Sequence, residues 1–485
     1  MKISHGTLWG AASASIFALA GFLVAASGME GVSFWLIALA GGALLVTGRS
    51  LTGSYANVLM IFLAFSLVYG LSGPWNALYG EGLPALFSRP YETAAYLSHY
   101  ALAVGGMSLG IVLSAVLPLR DKQRNPLSIK HEVLAGLAVL FAFLASLFEC
   151  VNFFRVGGVS SLGQGKAFYQ SAVTALPYTL PSHEISLLAF GLIALACAFS
   201  RQKQASFRPL YRYVLSFILA ILPLFLITVV LGLRGPLVAW FFIVLVGITY
   251  FHPIRRLSGR FVLVLLAVYF AMSFLIANRP LISDAVLSGK VAEFFPKAFS
   301  SKRTFKFMNP GMNEFGAAFG NFSEYVKSGD STRRWGKTYV TALTVPVPSF
   351  LYPGEKPRQI TYEFRDRFFP KEGTRGRIAG TAFSSVLEAY MNFGTAGVLG
   401  VYFLVGMALV FLERAKNILQ PSAIALIYLL MLPLAQSFHR SSFGSVVNTL
   451  FWTIALTLVY RFSYMLSVWA LRETPIGEYP SKGEA

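Results

Sequence analysis

Charged side chains are scarce in this 485-residue sequence, at 13%, roughly half their usual share in a soluble domain. Cysteine is nearly absent. Cys150 and Cys197 are the two in the chain, and both fall inside apolar runs. Two such thiols give no disulfide framework and no metal site, and they read as small packing residues. Familiar catalytic signatures are missing too: there is no Walker loop, no dinucleotide glycine fingerprint, no HExxH, no GxSxG, and no Asp-x-Asp or Glu-x-Asp. Coupling to ATP, zinc hydrolysis and a metal–diphosphate bridge are therefore not expected, and no cofactor is. Acidic residues are the scarcer sign, 21 against 40 Lys and Arg, for a net charge of +19. No basic-aromatic RNA motif or zinc-finger spacing accompanies that excess. It points to loops facing anionic lipid headgroups, with membrane lipid and not nucleic acid as the partner.

Hydrophobic residues make up 55% of the chain. Apolar runs of about 18 residues recur, each about 27 Å long as a helix, enough to cross a bilayer core. Reading runs against breakers predicts spans at 8–26, 32–48, 55–71, 97–118, 132–153, 183–199, 210–231, 236–251, 261–277, 396–412, 422–438 and 443–462. The stretch Met1 to Gly28 has signal-peptide features, but its apolar run is long for a signal core and is expected to remain as the first span. With the N-terminus inside, cytoplasmic segments carry Arg49, Arg120, Lys122, Arg124, Lys130, Arg201, Lys203, Arg208, Arg212, Arg255, Arg256, Arg260, Arg414 and Lys416. The short outer loops carry Arg89, Arg155, Lys166, Arg234 and Arg440. This asymmetry obeys the positive-inside rule throughout. The fold class is all-α, a polytopic membrane bundle of about 12 helices with both ends inside.

Three regions follow. Residues 1–277 form an N-terminal bundle of about nine spans, and 385–485 hold three more and a cytoplasmic tail. Between them, 278–384 contain no spanning run and form a large extracytoplasmic loop with 17 Lys and Arg against nine Asp and Glu. Long loops translocate largely regardless of charge. Its Pro-rich punctuation favours fixed, extended turns. The piece Asn313 to Lys327 has helical spacing and is expected to lie on the membrane surface.

Charges at the outer face are the informative ones. Arg234 stands in a Leu-Arg-Gly-Pro turn between two spans, with Pro236 suited to the first turn of the next helix. An Arg fork beside free helix N–H groups suits an anion, though an Arg there also snorkels to headgroups. Arg440 occupies a similar turn before the last span, beside His439 and ahead of Ser441 and Ser442, either of which is a suitable helix cap. Arg279 opens the large loop at the same depth. Three arginines from separate spans could surround one diphosphate. Of the carboxylates on this side (Glu363, Asp366 and Glu388), Glu388 interrupts an apolar helical pattern, so it either pairs with an Arg or serves chemistry. The cluster Arg365, Arg367, Lys371, Arg375 and Arg377 suits phosphate or acidic sugar, or is a solvated face.

Three stretches resemble the bacterial polysaccharide polymerases of the O-antigen and enterobacterial common antigen (Wzy-type) class. They are the Leu233-Arg234-Gly235 turn, the Pro-rich segment from Val345 to Pro357, and Ser385-Val386-Leu387-Glu388-Ala389-Tyr390-Met391-Asn392-Phe393-Gly394-Thr395-Ala396-Gly397. The resemblance lies mainly within 230–445. It implies a fold resembling the GT-C-like membrane glycosyltransferases and an inner-membrane enzyme with its site on the periplasmic side. The substrates it implies are oligosaccharide repeat units on a polyprenyl diphosphate carrier. The growing glycan passes to the sugar hydroxyl of a new unit, and polyprenyl diphosphate leaves without a metal. Arg234, Arg279 and Arg440 would then hold the diphosphate, Arg365, Arg367, Arg375 and Arg377 the glycan, and Glu388, then Glu363, then His439, would serve as base. A chain-length regulator and a flippase are the implied protein partners. Two alternatives stay open: an O-antigen ligase-like transferase using the same donor, and a lipid-linked oligosaccharide flippase or transporter.

Overall fold

The computed structural model describes residues 5–473 except 81, 84–86, 88, 118–130, 162–168, 170–171, 174–175, 177–178, 203–206, 301–308, 310–313, 348–350, 353–355, 371–382 and 419–420. Arg375 and Arg377 lie outside the described residues, as do Lys371, Arg120, Lys122, Arg124, Lys130, Lys166 and Lys203 and part of the Pro-rich segment.

The chain begins with α1 (His5–Ala26), α2 (Glu30–Thr52), α3 (Val58–Tyr79), α4 (Thr93–Val116), α5 (His131–Arg155), α6 (Ser182–Gln202) and α7 (Phe207–Val230). Two shorter apolar helices follow, α8 (Arg234–Ile248) and α9 (Gly259–Ala277). The inter-span segment holds α10 (Arg279–Ser288), α11 (Val291–Ser300), α12 (Glu314–Lys327), α13 (Lys337–Ala342) and α14 (Ile360–Phe368). The chain re-enters the bundle through α15 (Ser385–Ile418), α16 (Pro421–Leu430), α17 (Pro433–Arg440) and α18 (Phe443–Glu473). Among the described residues ten stretches are long and apolar enough to cross a membrane, with α16 and α17 forming one of them. With α8 and α9 they account for the apolar runs read from the sequence, in a polytopic helical bundle. At about 1.5 Å per residue, the 15-residue α8 reaches about 22 Å, short of a hydrocarbon core of about 30 Å.

Small residues bring α4 and α15 together. A Cβ at Gly106 would meet the Leu399 carbonyl, one at Gly110 the Phe403 carbonyl, and one at Gly406 the Met107 carbonyl. In a membrane, where apolar side chains gain little by leaving lipid, such backbone proximity supplies the dispersion contact that holds helices together. At the far end of α15 from the loop, Glu413 is buried and accepts hydrogen bonds from the Leu59 N–H (3.1 Å) and the Tyr428 hydroxyl (2.6 Å). The carboxylate thereby anchors the first turn of α3, where free N–H groups need acceptors.

The helix expected at Asn313–Lys327 exists as α12, but its setting differs. Phe319 and Phe322 are fully buried, the former on Gly73 of α3 and beside Tyr96 of α4. Its apolar face is turned into the protein, because α3 and α4 offer aromatic and glycine surfaces that its phenylalanines fill.

Candidate active site at the loop-bearing end of the bundle

Glu388 lies in the first turn of α15 and is 1% exposed. Its Oε1 accepts from the Thr338 hydroxyl at 2.7 Å, and its Oε2 accepts from the Phe443 N–H at 2.6 Å. The Asn392 amide, one turn along α15, donates to the same Thr338 oxygen at 2.7 Å and to the Glu388 carbonyl at 2.8 Å. Among the described residues Glu388 makes no ion pair. The arginine partner considered from the sequence is replaced by neutral donors, one of them a helix N-terminus. The Phe443 N–H, at the start of α18, would otherwise lack an acceptor. The cap anticipated from Ser441 or Ser442 thus comes from another helix.

The other residues of the Ser385–Gly394 motif hold the loop onto the bundle. The Ser385 and Tyr402 hydroxyls share a hydrogen bond of 2.8 Å. Tyr390 receives the Arg333 guanidinium on its ring at 4.7 Å and packs on His99. Asn392 Oδ1 accepts from the Gly336 N–H, while Phe393 stacks on Tyr339. Gly394 breaks the helix with φ 68° and ψ −152°, and a Cβ there would lie 3.2 Å from the Arg333 side chain. Only glycine is at ease in that region of backbone space. Tyr339 is half-buried beside this node, and desolvation, followed by the Glu388 charge, pushes its phenol well up from the ordinary value.

The short helix α17 separates two hollows. On one side is a cleft of about 220 Å³ lined by Arg440, Gln436 and Ser437, by His183 and Glu184 at the start of α6, and by Gly235 and Pro236. It therefore brings Arg440 to the turn that carries Arg234. Pro236 sits in the first turn of α8, as its fixed φ favours. On the other side, Phe438 faces a small hollow that also touches Glu388, Tyr339, Ser385 and Phe443. Arg440 is three residues from Phe443, so their Cα atoms lie within about 11 Å, the reach of three extended residues. A cleft that holds Arg440 beside Glu184 and a buried carboxylate thus lie one turn of chain apart. Such a pair can hold an anionic leaving group and accept a proton nearby.

His439 lines neither hollow. It is buried with its ring 4.6 Å from that of Phe62 and close to Tyr69, and its Nε2 has no hydrogen-bond partner among the described residues. Arg279 begins α10, and its side chain lies outside the described residues.

The carboxylates and arginines of α14 are engaged with one another and with the preceding loop. Glu363 pairs with Arg334 at 2.7 Å, Arg365 with Asp366 at 2.6 Å and Arg367 with Asp330 at 2.5 Å, while Arg358 also pairs with Asp366. The Thr332 N–H, joined by Arg367, holds the Asp330 carboxyl below its ordinary range, and hydrogen bonds from Arg365 do the same for Asp366. In this conformation Glu363 and Arg367 fasten α14 to the 330–334 turn, and Arg365 is engaged by Asp366 of the same helix.

Sequence reading passed over Thr338 and Asn392, whose roles depend on contacts tens of residues away. It also passed over His183 and Glu184, although their place at the outer end of a predicted span was a usable signal.

No curated protein and no solved structure matches the chain. A family model described as "O-antigen polysaccharide polymerase Wzy" matches residues 357–469. The matched stretch carries Glu363, Arg365, Arg367, Glu388, His439 and Arg440, whereas Arg234 and Arg279 precede it. It supports an enzyme of glycosyltransferase type acting in polysaccharide repeat-unit polymerisation. The resemblance read from the sequence is upheld where its longest motif lies: over residues 357–469 this chain is similar to the Wzy-type polysaccharide polymerases.

Proposed function

We propose that this protein polymerises oligosaccharide repeat units carried on polyprenyl diphosphate, at the extracytoplasmic face of a bacterial inner membrane. The observation that carries the reading is the family match on the stretch that contributes Glu388 and Arg440 to adjoining hollows. The acceptor sugar hydroxyl gives its proton to the Glu388 carboxylate as its oxygen bonds to the anomeric carbon of the donor glycan. The bond from that carbon to the diphosphate breaks, and polyprenyl diphosphate departs. Arg440, with Arg234 at the start of α8 and Arg279 at the start of α10, balances the charge that develops on the leaving group. That is the part a metal plays in other diphosphate chemistry. The loop between α9 and α15 covers the acceptor sugar and excludes water, its α14 arginines contacting the glycan when their carboxylate partners yield. A flippase delivers the units, and a chain-length regulator limits the product.

The test is direct. Purified protein in nanodiscs receives a polyprenyl-diphosphate-linked oligosaccharide with excess chelator and no nucleotide, and the glycans are resolved on a gel. A ladder of repeat units is the expected result. Movement of labelled lipid between leaflets without a ladder would replace the polymerase by a flippase. Transfer to a lipid-A-type acceptor alone would replace it by a ligase.

A further inference from the structure

A hollow of about 920 Å³ runs beside the Glu388 node and is almost wholly apolar. It lies between α15, α17 and α18, and shares Tyr339, Val401, Phe438, Phe443 and Val446 with the small hollow that touches Glu388. From Val401 to Arg414 along α15 it extends about 20 Å at about 1.5 Å per residue, some two-thirds of a hydrocarbon core. Its far end is closed by Arg414, whose guanidinium donates to the Ser114, Ala115 and Leu117 carbonyls at the C-terminal end of α4. Its side is open, since Leu404, Phe411 and Leu450 are exposed on the helix faces that border it. All but five of its lining residues fall within the stretch similar to the polymerase family.

We infer that this groove binds the isoprenoid chain of a lipid-linked substrate, entering sideways from the bilayer, with its diphosphate end at the α17–α18 turn that carries Arg440. The inference rests on the polymerase reading for the identity of the lipid. What selects a carrier lipid over a bulk phospholipid is continuity: the apolar groove shares a wall with the small hollow that touches the buried Glu388, and the Arg440 Cα is within about 11 Å of that of Phe443 in that wall. A phosphatidylglycerol headgroup offers hydroxyls to that carboxylate but a single phosphate to the arginine. A sugar–diphosphate head presents both a hydroxyl for the carboxylate and a diphosphate for the arginine. The groove is thus a measuring slot for chain length, separate from the diphosphate cleft on the other side of α17.

Two readouts test this. In the first, repeat units on a long-chain polyprenyl diphosphate are compared with the same units on a two-isoprene diphosphate, using Val405→Trp and Ala408→Trp to narrow the groove and Ile16→Trp on the exposed face of α1 as control. The kcat/KM ratio of long over short chain is expected to fall about tenfold in the groove variants and to hold in the control. An unchanged ratio, or equal loss on both substrates, overturns the inference while leaving the polymerase reading intact. In the second, a photoreactive residue at Leu434 is crosslinked to radiolabelled polyprenyl diphosphate, without any turnover. Labelling suppressed by unlabelled polyprenyl diphosphate but not by phosphatidylglycerol supports the slot, even if no ladder forms and the polymerase reading fails. Equal suppression by both lipids overturns the slot and makes it an ordinary phospholipid groove.

Discussion

Replacing Glu388 by Gln removes one charge from a fully enclosed site and changes little else. In the native protein both carboxylate oxygens accept, from Thr338 at 2.7 Å and from the Phe443 N–H at 2.6 Å. In the variant the amide oxygen keeps the Phe443 N–H, and the amide nitrogen turns to the Thr338 hydroxyl. That oxygen already accepts from Asn392 at 2.7 Å, and its two lone pairs can take both donors. The net structural cost is a neutral acceptor in place of a charged one plus the lost acceptor of the Thr338 O–H, about 1–3 kcal/mol. Glu388→Ala goes further, since it strands the Phe443 N–H and leaves a void, for about 2–5 kcal/mol. If the carboxylate takes the acceptor proton, Glu388→Gln should retain normal protein level and melting temperature within a few degrees. It should lose polymerisation about 10²- to 10⁴-fold, or about 3–5 kcal/mol of barrier. The assay is the initial rate of ladder formation in nanodiscs beside a thermal melt of the same preparation. A Gln variant that polymerises within threefold of the wild type, next to an unstable Ala variant, would refute the base and leave Glu388 as the cap of α18.

Other expectations follow from the same geometry. Arg440→Lys keeps charge but loses the forked geometry, and should shorten polymer strongly in cells at normal protein level; Arg234→Lys should act alike if the shared cleft holds the diphosphate. Gly110→Ala drives a methyl into the Phe403 carbonyl and should lower stability by about 1–3 kcal/mol, read as a reduced melting temperature in detergent. Gly394→Ala puts a side chain at φ 68° against Arg333, and should cost about 1–3 kcal/mol and speed proteolysis between α12 and α15. The depressed Asp330 and Asp366 carboxyls stabilise the α14 contacts fully above the unfolded Asp value of about 3.9, and that contribution disappears as pH falls through their lower folded values. Limited proteolysis near residues 356–368 should thus be unchanged from pH 7 to 5 and accelerate below about 3.5.

Much of the bundle was legible because lipid imposes a simple rule: backbone groups must pair within a helix, so spans appear as uninterrupted apolar runs. Helix α12 was legible for its periodicity, yet not for its burial, since a phenylalanine stripe reads alike whether it faces lipid or Gly73. The importance of Glu388 showed in its neighbours, a carboxylate amid apolar residues. Its partners did not, because Thr338 and Phe443 stand 50 and 55 residues away and neither carries a charge. The α14 arginines illustrate the opposite difficulty. A basic run looks available for a ligand until folding brings Asp330 to Arg367 and closes Asp366 on Arg365. The expected meeting of Arg234, Arg279 and Arg440 rested on common depth alone; the structure brings Arg440 to Gly235 and Pro236, the residues that follow Arg234.

Helix α15 carries a buried glutamate at each end, Glu388 on the first turn of α18 and Glu413 on the first turn of α3. The two do not share one rod, because Gly394 breaks α15 between them and the Ser385–Tyr402 hydrogen bond holds its two segments side by side. Each glutamate therefore sets the phase of its own segment. Each residue advances a helix by about 100°, so one residue inserted between Gly394 and Glu413 would swing Glu413 about a quarter-turn from its amide and leave Glu388 where it is. Residue count is constrained within each segment separately, and Gly394 is the joint that uncouples them.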